Sequence, residues 1–152
     1  MKNIMFICTG NICRSAMAEG ILKKMLKDKN ITDIKVCSSG IYANTGEYAT
    51  DEAIQAVKEL YDVNILNHRA TNIRDSKIKE MDLILCATHA HKTMVMHLYP
   101  ELKEKVYTMK EYADKNAKDI DISDPWGYPM NVYRKCAEEI YKTIELIIHF
   151  IL

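Results

Sequence analysis

The sequence predicts an α/β fold: one domain with a doubly wound, four-stranded parallel sheet and helices on both faces. Three observations carry that expectation. Short apolar runs that end in polar or glycine-bearing loops alternate with segments whose apolar residues recur every three or four positions. No repeat, linker or low-complexity tract breaks the alternation. The 152 residues are 48% hydrophobic and 28% charged, enough for one sizeable core, so residues 1–152 are expected to form a single domain.

Ile4-Met5-Phe6-Ile7 is an unbroken apolar run followed by Thr9-Gly10-Asn11, which suits a strand buried on both faces that ends in a tight loop. Met17, Ile21 and Met25, flanked by Ala18, Leu22 and Leu26, then repeat every four residues, predicting a helix from near Ser15 to about Asp28. Ile34 to Cys37 is the second strand, closed by Ser38-Ser39-Gly40, and Thr50-Asp51 leads into a helix carrying Ala53, Val57 and Leu60. Asp82 to Ala87 is a third buried strand and Lys105 to Thr108 a shorter fourth, with a helix around His91 to Leu98 between them. Asn116 to Met130, with its Asp, Pro and Gly, is expected to be a loop, and Val132, Cys136, Ile140, Ile144 and Ile148 mark a long last helix.

Charge and cysteine usage exclude some classes. The 21 Lys+Arg balance 21 Asp+Glu, so no excess of positive charge points to nucleic acid, and any anion site must be local. The apolar C-terminal stretch is interrupted by Glu145 and His149 and is too short to span a bilayer. Five cysteines, an odd number, and a start that runs directly into a strand predict a leaderless chain in a reducing cytoplasm.

The chemistry concentrates where the first strand ends. Cys8-Thr9-Gly10-Asn11-Ile12-Cys13-Arg14-Ser15 places a cysteine and an arginine around five residues, with a helix beginning at the end. Loop amides and a helix N-terminus together make a cradle for phosphate oxygens, and the same field favours a thiolate, so Cys8 is the candidate nucleophile. The planar fork of Arg14 can hold two phosphoryl oxygens and follow them into the transition state, and Ser15 can donate to the Cys8 sulfur. A bare Cys-x5-Arg arises by chance in roughly one chain in eight of this composition, so the strand-loop-helix setting, with Gly10 and Ser15, carries the weight.

Cys8 to Ser15, extended by Met17-Ala18-Glu19, resembles the signature of the low-molecular-weight protein tyrosine phosphatases. Ser38-Ser39-Gly40, Asn67-His68-Arg69-Ala70, Asp82 to Ala87 and Asp124-Pro125 resemble later segments of that family in the same order. The resemblance implies a metal-independent, cofactor-free phosphomonoesterase acting on phosphorylated protein through a phosphocysteine. Cys8 attacks phosphorus, a carboxylic acid protonates the leaving oxygen, and the same carboxylate then activates water. By similarity that group is Asp124, which Pro125 biases toward an extended backbone, with Asp119 and Asp121 as the competing carboxylates.

The resemblance also implies supporting roles. Asn11 suits the left-handed conformation of a tight loop, and its side chain is expected in a hydrogen-bond network with His68 and Ser39. Cys13 is close enough to Cys8 in sequence for a reversible, protective disulfide if their Cβ atoms lie within reach. Apart from the resemblance, Tyr42, Tyr48, Trp126 and Tyr128 are expected to wall the cradle and admit an aryl phosphate if their loops converge over Cys8. His89 and His91 have no third ligand at a recognisable spacing, so no metal site is assigned.

Three alternatives stay open. Ala87 to Lys92, Lys105 to Tyr112 and Asp124 to Gly127 resemble the bacterial protein-arginine phosphatase branch, yet Ile12 stands where that branch typically has threonine, and isoleucine is typical of tyrosine-specific members, so the expected substrate is phosphotyrosine with phosphoarginine as the alternative. Ala16 replaces a usual proline and bears on rigidity more than on chemistry. An arsenate reductase needs two further redox cysteines on a mobile segment, which Cys37, Cys86 and Cys136 do not supply. A non-catalytic phosphate-binding module does not need Cys8, Arg14 and Asp124 together.

Overall fold

The apolar run at the N-terminus becomes the second strand in from one edge of the sheet, and its side chains alternate between two cores. A computed structural model describes residues 2–152. Strands β1 (Lys2–Cys8), β2 (Ile34–Gly40), β3 (Leu83–Cys86) and β4 (Val106–Thr108) form one all-parallel sheet in the order β2-β1-β3-β4. Ile4 and Phe6 of β1 face helices α1 (Arg14–Asp28), α2 (Asp51–Tyr61) and α5 (Met130–Ile151), meeting Met17, Ile21, Val57, Ile140 and Ile144. Met5 and Ile7 face the other way, onto Val95 of α3 (His89–Leu98) and onto Ile73, Ile78 and Leu102 of short 3-10 turns. These four β1 residues are at most 1% exposed, as strict alternation on a sheet covered on both faces requires.

The winding reverses at β1. The chain leaves β1 to pair with it on one side through β2, then crosses to pair on the other side through β3, so the crevice of a doubly wound sheet opens at the carboxyl end of β1, at Cys8.

Three differences from the sequence reading have local causes. Strand β2 runs on to Gly40, so Ser38 and Ser39 belong to the strand and not to the loop after it. Helix α5 begins at Met130, three residues before its first buried side chain, Tyr133, so its buried stripe does not mark the first turn. Helix α4 (Met109–Ala113) and the 3-10 turns Ile73–Asp75, Ile78–Glu80 and Pro100–Lys105 were not expected, being too short to show a period. The signal that does mark α4 is a capping box, in which Thr108 accepts from Glu111 N–H and the Glu111 side chain accepts from Thr108 N–H. No helix of the described residues is long and apolar enough to cross a membrane.

Candidate active site

Four carbonyls of the loop from Cys8 to Arg14 are turned toward flanking segments. Those of Cys8, Thr9, Asn11 and Ile12 accept hydrogen bonds from Ile41 N, Tyr42 N, His68 Nε2 and Thr50 N respectively, at 2.7–3.1 Å. With those carbonyls so engaged, the loop is arranged as an anion-binding nest, whose amides turn toward the concave side. The Asn11 N–H already points at the Cys8 sulfur, at 3.3 Å, and Ser15 Oγ lies 2.9 Å from it. Because Asn11 Nδ2 donates to Ser15 Oγ at 2.7 Å, the Ser15 hydroxyl is left to donate its own hydrogen to the sulfur. Cys8 is 3% exposed, at the bottom of its cleft.

Asn11, not Gly10, is the left-handed residue of the loop, at φ 57°. Its Nδ2 also donates to Ser38 Oγ at 2.9 Å, and its Oδ1 accepts from Thr71 N–H at 2.9 Å. The expected network is thus corrected in one member: Ser39 points to the opposite face of β2, where its hydroxyl meets Met5 Sδ, and Ser38 takes the place assigned to it. His68 supports the backbone of Asn11 and not its side chain, with Nε2–H donating to the carbonyl at 2.7 Å. Behind both stands Glu19, which accepts from Ser38 Oγ at 2.5 Å and lies 4.0 Å from His68 Nδ1.

The segment 114–129 brings a carboxylate over the loop. Arg14 Nη1 donates to the Ile122 carbonyl at 2.8 Å, and its Nη2 lies 3.5 Å from Asp124 Oδ2. Ile122 N–H donates to Ala87 O at 2.9 Å, and Asp121 accepts from His89 N–H at 2.8 Å, so this segment is fastened to the end of β3 and the start of α3. The two other carboxylates are therefore engaged elsewhere, Asp121 on α3 and Asp119 within 3.7 Å of Lys110 Nζ. Asp124 opens a turn, accepting from Trp126 N–H, while Pro125 is buried beneath it and Gly127 takes a positive φ. The result is a cleft of about 230 Å³ lined by Cys8, Thr9, Gly10, Ile12, Cys13 and Arg14, with Asp124 and Trp126 across it.

Residues 3–149 match the family model described as low molecular weight phosphotyrosine protein phosphatase. The chain belongs to that family. It is 32% identical over 138 residues to a protein-arginine-phosphatase of Bacillus subtilis, covering 91% of this chain and 89% of that protein. It is 33% identical over 137 residues to a low molecular weight protein-tyrosine-phosphatase of Staphylococcus haemolyticus, covering 90% and 91%. Among solved structures, the low molecular weight protein tyrosine phosphatase from T. tengcongensis superposes with a TM-score of 0.92 at 36% identity, over 99% of this chain and all of that one. An arginine phosphatase from Geobacillus stearothermophilus superposes with a TM-score of 0.88 at 32% identity, over 99% and 92%.

Within this phosphatase-family fold the aromatic residues do not gather as expected. Trp126 alone of the four lines the Cys8 cleft. Tyr42 borders a separate hollow with Met94 and Leu98, and Tyr48 lies under Arg69, whose guanidinium carbon is 4.0 Å from the ring centroid. Tyr128 is exposed on the turn after Pro125, with its N–H bonded to the Pro125 carbonyl. These positions depend on how distant loops settle against one another, which local sequence does not encode.

The remaining cysteines are free thiols. Cys13 Sγ lies 3.4 Å from the Tyr133 hydroxyl and 3.6 Å from Thr50 Oγ1, and burial pushes its thiol up from the ordinary range. Cys37, Cys86 and Cys136 sit in β2, β3 and α5, where burial likewise raises them, Cys37 to about 11 and Cys136 to about 12. Sequence reasoning missed Ser38, Glu19, Thr71 and Ile122 as supports of the loop, and it treated His91 only as a metal candidate. Both ring nitrogens of His91 are in fact engaged by hydroxyl groups, those of Thr88 and Thr9.

Proposed function

We propose that this phosphatase-family member hydrolyses phosphotyrosine in protein substrates through a covalent phosphocysteine at Cys8. The observation that carries the reading is the meeting of Cys8, Arg14 and Asp124 in one small cleft with Ile12 and Trp126 on its walls. The phosphoryl group enters the loop, where inward amides and the Arg14 fork bind its oxygens, and Nη1 of Arg14 stays on the Ile122 carbonyl to fix the fork's plane. The Cys8 sulfur attacks phosphorus as the ester P–O bond breaks, and Asp124 delivers a proton to the departing phenolate. Asp124, now a carboxylate, takes a proton from water as that water attacks the thiophosphate. Phosphate leaves, and the Ser15 hydroxyl stabilises the returning thiolate. This chemistry needs no metal.

Substrate choice rests on Ile12. Overall similarity does not decide it, since the two relatives named for tyrosine and arginine substrates are 33% and 32% identical to the chain. Ile12 is half-buried against the core and lines the cleft, and an apolar wall there suits an aryl ring better than a guanidinium, whose N–H groups would lose water against it and gain no acceptor from it. Initial rates of phosphate release from a phosphotyrosine peptide and a phosphoarginine peptide test this with wild type, Cys8→Ser and Ile12→Thr. Cys8→Ser is expected to abolish both activities, wild type to prefer phosphotyrosine, and Ile12→Thr to shift the ratio toward phosphoarginine. Preference of the wild type for phosphoarginine would overturn the tyrosine assignment.

A further inference from the structure

His91 stands in the first turn of α3, 8% exposed, and bridges two hydroxyl groups. Its Nδ1 is 2.8 Å from Thr88 Oγ1 and its Nε2 is 2.8 Å from Thr9 Oγ1. Thr88 caps α3 by accepting from the His91 backbone N–H at 3.2 Å. With one lone pair so occupied, the Thr88 hydroxyl has His91 Nδ1 as the protein acceptor for its own hydrogen. An imidazole that accepts at Nδ1 and remains neutral carries its proton on Nε2, which then donates to Thr9 Oγ1 and leaves the Thr9 hydroxyl hydrogen unspent. Thr9 is exposed and lines the Cys8 cleft, while its carbonyl is pinned by Tyr42 N–H at 2.9 Å. The ring is neutral at ordinary pH: burial and the nearby Arg14 guanidinium bring its pKa down to about 4, against the opposing pull of Asp124 and Asp121.

Resting on the reading of this loop as a phosphate cradle, we propose that the chain Thr88–His91–Thr9 presents the Thr9 hydroxyl as an additional donor to the phosphoryl oxygens. Thr9 touches the substrate. His91 is a positioning residue that acts through Thr9 and sets the direction of its hydrogen. The neutral ring has one donor and one acceptor, so its tautomer decides whether the Thr9 hydroxyl faces the cleft as a donor or turns away to satisfy Nε2.

The test combines ring nitrogen NMR of histidine-labelled protein with titration by inorganic phosphate and with phosphotyrosine-peptide kinetics, for wild type, Thr9→Val, Thr9→Ser, His91→Gln and the double variant Thr9→Val/His91→Gln. The expected spectrum shows a neutral His91 with the proton on Nε2 from about pH 5 to about 8. Thr9→Val, which keeps the shape and loses the hydroxyl, is expected to weaken phosphate binding about tenfold, as loss of one hydrogen bond to a charged group does. Thr9→Ser recovers most of that loss, and the double variant binds no more weakly than Thr9→Val alone, because both changes act through one hydroxyl. A proton on Nδ1, a Thr9→Val affinity within about twofold of wild type, or additive losses in the double variant would each overturn the proposal. The two readings separate cleanly. Wild type that binds phosphate but turns over no phosphopeptide refutes the hydrolase and leaves the Thr9 effect on binding to be scored, whereas turnover with affinity indifferent to Thr9→Val refutes only the Thr9 donor.

Discussion

Asn11 is fully buried, holds a left-handed backbone, and ties three separate segments together through one amide: Ser15 of α1, Ser38 of β2 and the backbone of Thr71. Its backbone conformation was legible because asparagine tolerates it where other side chains strain, and its side-chain network was expected from the family resemblance. The partner serine was not, since consecutive strand residues face opposite sides and a one-position uncertainty exchanges Ser38 for Ser39. Asp124 makes a sharper prediction at this scale. Asp124→Asn keeps the size of the side chain and its acceptor for Trp126 N–H but cannot supply a proton, so kcat for a phosphotyrosine peptide is expected to fall about 10²- to 10³-fold with little change in KM. Steady-state kinetics decide it, and a loss confined to KM would contradict the role.

Among the elements, the end of β2 presses on the loop from Cys8 to Arg14. A Cβ placed on Gly40 would lie 2.6 Å from the Thr9 carbonyl oxygen and 2.8 Å from the Asn11 nitrogen, both backbone atoms. Gly40→Ala therefore cannot be absorbed by a rotamer change and must push the loop or the strand aside, at a cost of about 1–3 kcal/mol. The expected outcome is a lowered urea midpoint together with weaker inorganic phosphate binding; wild-type values for both would show that the contact is slack. The approximate spans of the four strands were legible from apolar runs, and α1, α2 and α5 from their periods, but the order of the strands in the sheet was not. The anchoring of segment 114–129 was not, because Ile122 and Asp121 are held by Ala87, His89 and Arg14, which are remote in sequence.

For the molecule as a whole, buried titratable groups set an acid limit on stability. Burial holds His91 at about 4 in the folded chain, against about 6.5 for a free imidazole. Between those values the unfolded chain takes up a proton that the folded chain refuses, so stability falls as pH drops from about 6.5 to about 4, and this group contributes no pH dependence above that window. Glu111 adds to the loss at the lower end: burial opposes its charge, but hydrogen bonds from Lys92 and the Thr108 N–H outweigh it and keep the carboxyl below its usual range. The urea midpoint is expected to decline through that window and to decline less steeply in His91→Gln; equal slopes would contradict the assignment to His91.

The alternation of elements made a doubly wound sheet with a site at the end of the first strand readable, while the strand order that puts the winding reversal at Cys8 and the dispersal of Tyr42, Tyr48 and Tyr128 depended on contacts between segments far apart in the chain. What the fold positions is the Cys8 sulfur at the base of a cleft, and covalent catalysis at that sulfur is the claim on which the functional account depends. Rapid quenching of wild-type enzyme during turnover of an aryl phosphate with a good leaving group, followed by mass spectrometry of its peptides, tests it directly. The account predicts one phosphate on the peptide carrying Cys8 and none in Cys8→Ser; turnover with no phosphorylated Cys8 peptide, or with phosphate on another residue, would contradict it.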